Sequence, residues 1–440
     1  MTLVRVFILA LGLLSLAASP ARAIGLIRDA DIEYGLAKLA EPLIRAANLS
    51  PSQIRILLVD DPTLNAFIID ARHIFIHTGL LLKLDSPREL QAVIAHEVAH
   101  IANGHITRRA GNAATARTAA GLGLLLAAAA AAAGGGEAAA GLALGAQSSA
   151  QRLFLAHTRA EESSADITSV RILSRAGIDP VGALEVQEIF RGQDVLAESR
   201  QDPYMRTHPT SRDRLRALKG LVTAARNDYP KKPGAEYWYA RIRGKLSAFK
   251  RAPKWTMRRA DASPAKDIAL MRKSVAYHRQ SNLSKALEQI NAALALRGNK
   301  DPFYLELKGQ ILLENRKFAE AARTYQQAAG QAPKNALVLG GYGRAVLAAG
   351  NPKAAISILE TARARDVGDL RVLRDLAVAY AKTGKNGMAS LVTAERYALQ
   401  GRLKDAKLHA TRAEALLPRG SGPWRRAQDV LIAAKNAPRR

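Results

Sequence analysis

The sequence predicts a mainly α (α+β) chain in two units, a helical domain with a small β-sheet followed by an α-solenoid. Three observations predict it. Helix-forming residues Leu90–Ala95 run directly into His96-Glu97-Val98-Ala99-His100. Ahead of them, Asn65-Ala66-Phe67 followed by Ile68, Ile74 and Ile76 reads as a hairpin. Later in the chain, small residues return at a spacing of 34.

The predicted helix carries the chemistry. Residues four apart share a helix face, so His96 and His100 can converge on one metal ion. Glu97, beside the first ligand, can take a proton from an attacking water. The bland alternative is a buried helix that happens to hold two histidines and a glutamate, and the downstream residues weigh against it. Zinc on two histidines needs a third protein ligand and an open position. One extended pattern puts a third His after a Gly that stands three residues past the second ligand. Here that slot holds Asn103, and Gly104-His105 falls out of step. His105 is therefore read as a structural residue, or one that touches a ligand, rather than as a ligand.

Arg159–Asp166 supplies a better candidate. If helical, it stacks Glu162 and Asp166 on one face. Glu162 can then hold zinc while Asp166 accepts a hydrogen bond from a ligand imidazole and sets its tautomer. Glu161 points about 100° away around the helix and is the weaker choice. Without the upstream motif, a solvated acidic patch would be the better reading of Glu162.

Asn65-Ala66-Phe67, Ile74–Leu80, His96–His100 with Gly104-His105, Glu162 with Ala165-Asp166, and Thr207-His208-Pro209 stand in a familiar order. Together they resemble the gluzincin metallopeptidases of the HtpX and CAAX-prenyl-protease type (metallopeptidase family forty-eight), in particular its periplasmic, repeat-bearing BepA-like branch. The resemblance covers about Leu26 to Ala248, and the repeats extend it to most of the chain. It implies a zincin fold and one zinc per chain, held by His96, His100 and Glu162. Glu97 would be the base and Asp166 the partner of a ligand imidazole. It also puts His208 near the metal, either contacting the tetrahedral intermediate or filling the open position at rest, with Arg214 in the same neighbourhood. The plain alternative for Thr207–Thr210 is a helix lead-in. An edge strand at Asn65, Ala66 and Phe67 would hold an extended peptide by backbone pairing; a plain core hairpin fits the same residues.

Composition narrows the setting. The chain has 440 residues and no cysteine, so disulfides, thiolate metal sites and a Cys-linked lipid anchor are excluded. Residues 1–23 hold Arg5, an apolar run from Val6 to Leu16 and Ala21-Arg22-Ala23, the layout of a cleavable secretory signal. The expected location is the periplasm, with the mature chain starting at Ile24. A net charge of +27 would suggest nucleic acid in the cytosol, but no nucleic-acid motif is visible. Anionic membrane surfaces or acidic partners are the better match, with a solubilising surface as the plain alternative. Many cations gather near a junction: Arg241, Arg243, Lys245, Lys250, Arg251, Lys254, Arg258 and Arg259.

The expected boundaries are a catalytic domain over 24–250, a basic linker over 251–265 and tetratricopeptide repeats over 266–437. Gly309, Ala321, Tyr325, Ala328 and Pro333 set the repeat pattern, and a shift of 34 reaches Gly343, Ala355, Leu359 and Ala362. Earlier and later copies show at Tyr277, Ala286, Ile290 and Ala293, and at Ala394, Tyr397, Ala406 and Ala413, with a degenerate stretch near Gly384–Met388. Each unit has its own apolar periodicity, so each is expected to fold alone. The Ala/Leu-rich insert 118–147 reads as a helical hairpin turning at Gly134-Gly135-Gly136, since one arm would reach only about 22 Å against a bilayer core of about 30 Å.

The expected function is a zinc endopeptidase acting on misfolded or stalled envelope proteins. Its repeats would recruit those clients or the outer-membrane β-barrel assembly machinery. The rivals are a scaffold with a silent zinc site and a membrane-embedded protease.

Overall fold

The computed structural model describes residues 25–105, 159–193, 200–208, 211–225 and 227–436. The expected signal segment 1–23 and the insert 118–147 lie outside the described residues. Among the described residues, no helix is long and apolar enough to cross a membrane.

The catalytic unit has a four-stranded sheet in the order β1 (Leu26–Ile27), β2 (Arg55–Val59), β4 (His73–His77) and β3 (Ala66–Ile68). β2 and β4 run parallel, while β3 returns antiparallel to β4 with Ala66 opposite Ile76 and Ile68 opposite Ile74. The predicted hairpin is thus present, and β3 is an edge strand. Two helices enclose the sheet's core: α1 (Ala30–Ala46) and α3 (Pro87–Ala102), the latter reached through the short α2 (Thr78–Lys83).

Local sequence explains why α3 begins where it does. Ser86 caps Glu89 N, Pro87 occupies the first turn, and the Glu89 carboxylate accepts from Asp85 N. From Glu89 through His100 every residue of α3 is buried, so it is the central helix of the unit. Residues 159–175 form α4, which carries Glu162 and Asp166. Asn103, at the end of α3, donates to Ser164 Oγ and Thr168 Oγ1 at 3.1 Å each and joins the two helices. Then follow α5 (Val181–Ile189), the short α6 (Pro203–Thr207) and α7 (Arg212–Ala224).

From Lys266 to Lys435 the chain forms ten helices, taken two by two. Gly309 and Gly343 explain the small-residue pattern. A Cβ at Gly309 would stand 2.6 Å from the Tyr325 ring, and one at Gly343 would stand 2.5 Å from Leu359. Paired helices approach so closely that only hydrogen fits there. The copies at Ala286, Ala321 and Ala355 fall on second helices of pairs. Ala406 instead lies in the first helix of the last pair, Leu403–Leu416, so the later copy is half a repeat out of phase.

The helix Pro233–Lys250, α8, belongs to both units. Tyr239, Ile242 and Leu246 join the catalytic core, while Ala248 joins the repeat core together with Ala30 of α1. Residues 251–265, expected as a linker, carry a further helix, α9 (Pro253–Ala260), with Thr256 and Ala260 buried. Arg241 and Lys245, read from the sequence among the junction's cations, are fully buried. Arg241 pairs with Asp31 at 2.8 Å and with Asp301 at 2.7 Å, and Lys245 pairs with Asp29 at 2.9 Å. Arg28 and Arg55 also reach Asp366, at 2.6 and 3.0 Å. The repeats therefore close back onto the start of the catalytic unit.

Candidate metal and catalytic centre

α3 presents His96 and His100 on one face, and α4 brings Glu162 against them. The two histidine Nε2 atoms stand 3.1 Å apart. Glu162 lies 3.2 Å from each of them, through its two oxygens. His208, following α6, completes the group: its Nδ1 is 3.3 Å from His96 Nε2 and 3.1 Å from Glu162 Oε2. All four residues are buried, with one donor atom from each lying within 4.8 Å of the others.

These donors fit a zinc ion. Corners of a tetrahedron with bonds of about 2.0–2.1 Å lie about 3.3–3.4 Å apart, within a few tenths of the separations seen here. The charges agree. Burial opposes charge on His96, but hydrogen bonds to Asp166 and Glu162 outweigh it and push the imidazole up to about 10. Burial holds His100 down to about 3. The two facing Nε2 atoms stand where two bare lone pairs would repel, a placement that a cation would relieve. Burial works against the Glu162 anion too, yet the imidazoles of His208, His100 and His96 keep it well below the usual carboxylate range.

The surrounding residues hold this group in place. Asp166 lies 3.3 Å from His96 Nδ1, and Arg214 grips its carboxylate with Nε at 2.5 Å and Nη2 at 2.9 Å. Arg214 also reaches Glu162 at 3.1 Å and the His208 carbonyl at 3.4 Å, tying α7 to both α4 and the His208 turn. His105 Nδ1 stands 2.8 Å from His100 Nδ1, on the side of that ring away from the donor cluster. Glu97 is fully buried with Oε1 3.4 Å from His208 Nε2.

Asn65 and Ala66 meet the centre through the segment 203–208, and Phe67 stays at its edge. Thr207 Oγ1 donates to Asn65 Oδ1 at 3.3 Å, and His208 Nε2 is 3.3 Å from the Ala66 carbonyl. Phe67 stacks on Phe75 at 5.2 Å. Sequence reasoning missed Tyr204 and Phe190. Tyr204 stacks on Phe190 at 4.8 Å and lies 4.7 Å from the His208 ring, which it supports from behind. No local pattern marks either residue; only their spacing to His208 in three dimensions does.

A helix-borne His-Glu-x-x-His pair, an acidic donor from a second helix and a buried carboxylate beside them define a metallopeptidase-type centre. Residues 31–222 match peptidase family M48, and the chain carries that family's domain. Residues 312–377 match the tetratricopeptide repeat. A Yersinia pestis protein named beta-barrel assembly-enhancing protease is 25% identical over 211 residues, 46% of this chain and 43% of that protein, so the match spans less than half of it. An Escherichia coli (strain K12) protein of the same name is 25% identical over 389 residues, 87% of this chain and 78% of that protein. Among solved structures, one titled MamA MSR-1 C2 aligns with 37% of this chain and 96% of its own length, at 17% identity and a TM-score of 0.32.

Proposed function

We propose that this chain is a zinc-dependent endopeptidase of the periplasm that cleaves misfolded or stalled envelope proteins. The observation that carries the catalytic part is the convergence of His96, His100, Glu162 and His208 on one buried point beside Glu97. His96, His100 and Glu162 would hold one zinc. Bound there, zinc would polarise the scissile carbonyl and lower the pKa of the attacking water. Glu97 takes that water's proton and passes it to the leaving amine. Asp166 fixes the His96 ring, and Arg214 fixes Asp166.

The substrate would lie along β3. Asn65 O accepts from His77 N in the sheet, so Leu64 O and Ala66 O point to the free edge. Both are covered by the segment 203–208, through Tyr204 N at 3.1 Å and His208 Nε2 at 3.3 Å. One short segment thus covers the strand edge and the fourth corner of the metal group. We read His208 as a resting-state plug that an extended client displaces. The match of the Escherichia coli relative across both units, and its name, support a role for the repeats in recruiting clients or the outer-membrane β-barrel assembly machinery.

The Glu97→Gln protein tests the mechanism. It should keep its zinc and lose about 10²–10⁴-fold of casein cleavage, because an amide cannot accept the proton. Glu162→Ala should lose the metal instead. Full cleavage by Glu97→Gln would reject the assigned base, and full zinc occupancy without Glu162 would reject the ligand.

A further inference from the structure

Two groups stand out among the cations at and beside the junction. Arg241 and Lys245 turn inward to aspartates, whereas Arg243, Arg251, Arg259 and Arg272 line a cavity of about 540 Å³ between α8, α9 and the first repeat helix, Lys266–His278. Trp255 forms one wall, with the Arg259 guanidinium 4.9 Å and that of Arg251 5.9 Å from its ring. Ser247 and Ser263 add hydroxyls, and Asp85 and Glu236 are the acids of the lining.

Arg272 is the informative member. It is 9% exposed, and no carboxylate lies within ion-pair distance of it among the described residues. Its Nη1 donates to the Arg259 carbonyl at 2.9 Å and to Ser263 Oγ at 2.8 Å, and its buried Nε has no hydrogen-bond partner. Arg243 also has a buried Nε without a partner, and its one carboxylate contact is Asp85 at 3.4 Å, a side chain 84% exposed. Gly244 lets the Arg272 stem pass; a Cβ there would meet Arg272 Cδ at 3.2 Å. Burying a guanidinium among like charges is unfavourable unless an anion compensates it. Burial, and then the charges of Arg243 and Arg259, lower the Arg272 pKa from its ordinary value, the reverse of the upward shift seen at the paired Arg241.

We propose that this cavity binds a phosphate group, either free in solution or at the head of a membrane lipid. Guanidinium forks converging from several sides match an oxyanion with three or four acceptor oxygens better than a carboxylate with two. The volume exceeds a bare phosphate, and Trp255 offers a wall for the carbon atoms attached to it. The site involves neither the metal centre nor the strand edge, so it stands independently of the catalytic reading.

The test uses the full-length protein with two probes. The first is inorganic phosphate, followed by the melting temperature against chloride at matched ionic strength. The second is flotation with vesicles of phosphatidylglycerol in phosphatidylcholine, against phosphatidylcholine alone. Arg272→Gln should weaken binding about tenfold or more, the loss of one charge-assisted bond. Arg251→Gln and Arg259→Gln, at exposed positions, should do the same without risk to folding. Arg323→Gln and Arg419→Gln, exposed on the repeats, are the controls. Arginine-dependent stabilisation by free phosphate assigns a soluble ligand, and arginine-dependent binding to the anionic vesicles alone assigns a lipid headgroup. Equal losses in the controls, or no dependence on the cavity arginines with either probe, would overturn the proposal.

Discussion

At the residue scale, the centre depends on side chains that hold other side chains. Glu162, His96, Glu97, the Ala66 carbonyl and the Tyr204 ring surround His208. If it is a plug, His208→Ala should raise cleavage of an unfolded protein while zinc content stays unchanged. Reduced turnover with the metal retained would reject that role and assign His208 to transition-state stabilisation. Asp166 offers a second measurement. Asp166→Asn leaves all donor atoms in place but removes the anion shared by His96 and Arg214, so zinc affinity should fall about 10–100-fold in a chelator competition. His96 and His100 were legible because helical spacing alone puts them on one face, and Glu97 because it stands beside the first of them in that motif. Glu162 needed a second helix to be inferred, and the support of Tyr204 and Phe190 became visible only once α6 was seen folded over the edge of β3.

At the element scale, the helix Pro302–Glu314 sets an acidic side chain into the seam between the units. Glu306 lies 3.7 Å from Lys245, and one of its oxygens is buried without a hydrogen-bond partner. Burial, with Asp29 and Asp31 nearby, pushes it up to about 7 despite the attraction of Lys245 and Arg371. Its folded pKa exceeds the ordinary 4.5, so the folded protein keeps a proton that the unfolded chain has released. The stabilisation is fully present below about 4.5 and is lost as pH rises through about 7. Glu306→Gln stays neutral throughout. Its urea midpoint should therefore fall less than that of the wild type between pH about 5 and about 7.5. Equal slopes in both proteins would remove Glu306 as the source.

At the scale of the whole molecule, the seam changes what truncation should do. Separate apolar periodicities led us to expect a catalytic unit that folds without the repeats. In the structure, deleting Ala262 onward strips Asp301 from Arg241 and Glu306 from Lys245, and uncovers Ala30, Ala248 and Trp238. The truncated protein should be poorly soluble or lose its metal; a soluble, zinc-loaded fragment would show that the seam is dispensable. A milder probe is Asp301→Ala, which among the described residues leaves Asp31 as the one carboxylate paired with the buried Arg241 and should destabilise the protein by about 3–5 kcal/mol in denaturant unfolding.

Periodicity determined much by itself: the helix of His96 and His100, the edge hairpin at Asn65–Phe67 and the repeats with their small residues at Gly309 and Gly343. These features depend on neighbours a few residues away or on a constant spacing, which a linear sequence records directly. Tertiary structure alone decided that Arg241 and Lys245 are interior ion pairs while Arg272 lines a cavity with no carboxylate within ion-pair distance of it among the described residues. A lysine or arginine reads the same in a sequence whether it meets water, an aspartate or another cation. Its partner is chosen by contacts tens to hundreds of residues apart, as between Arg28 and Asp366, and only the folded chain brings those together.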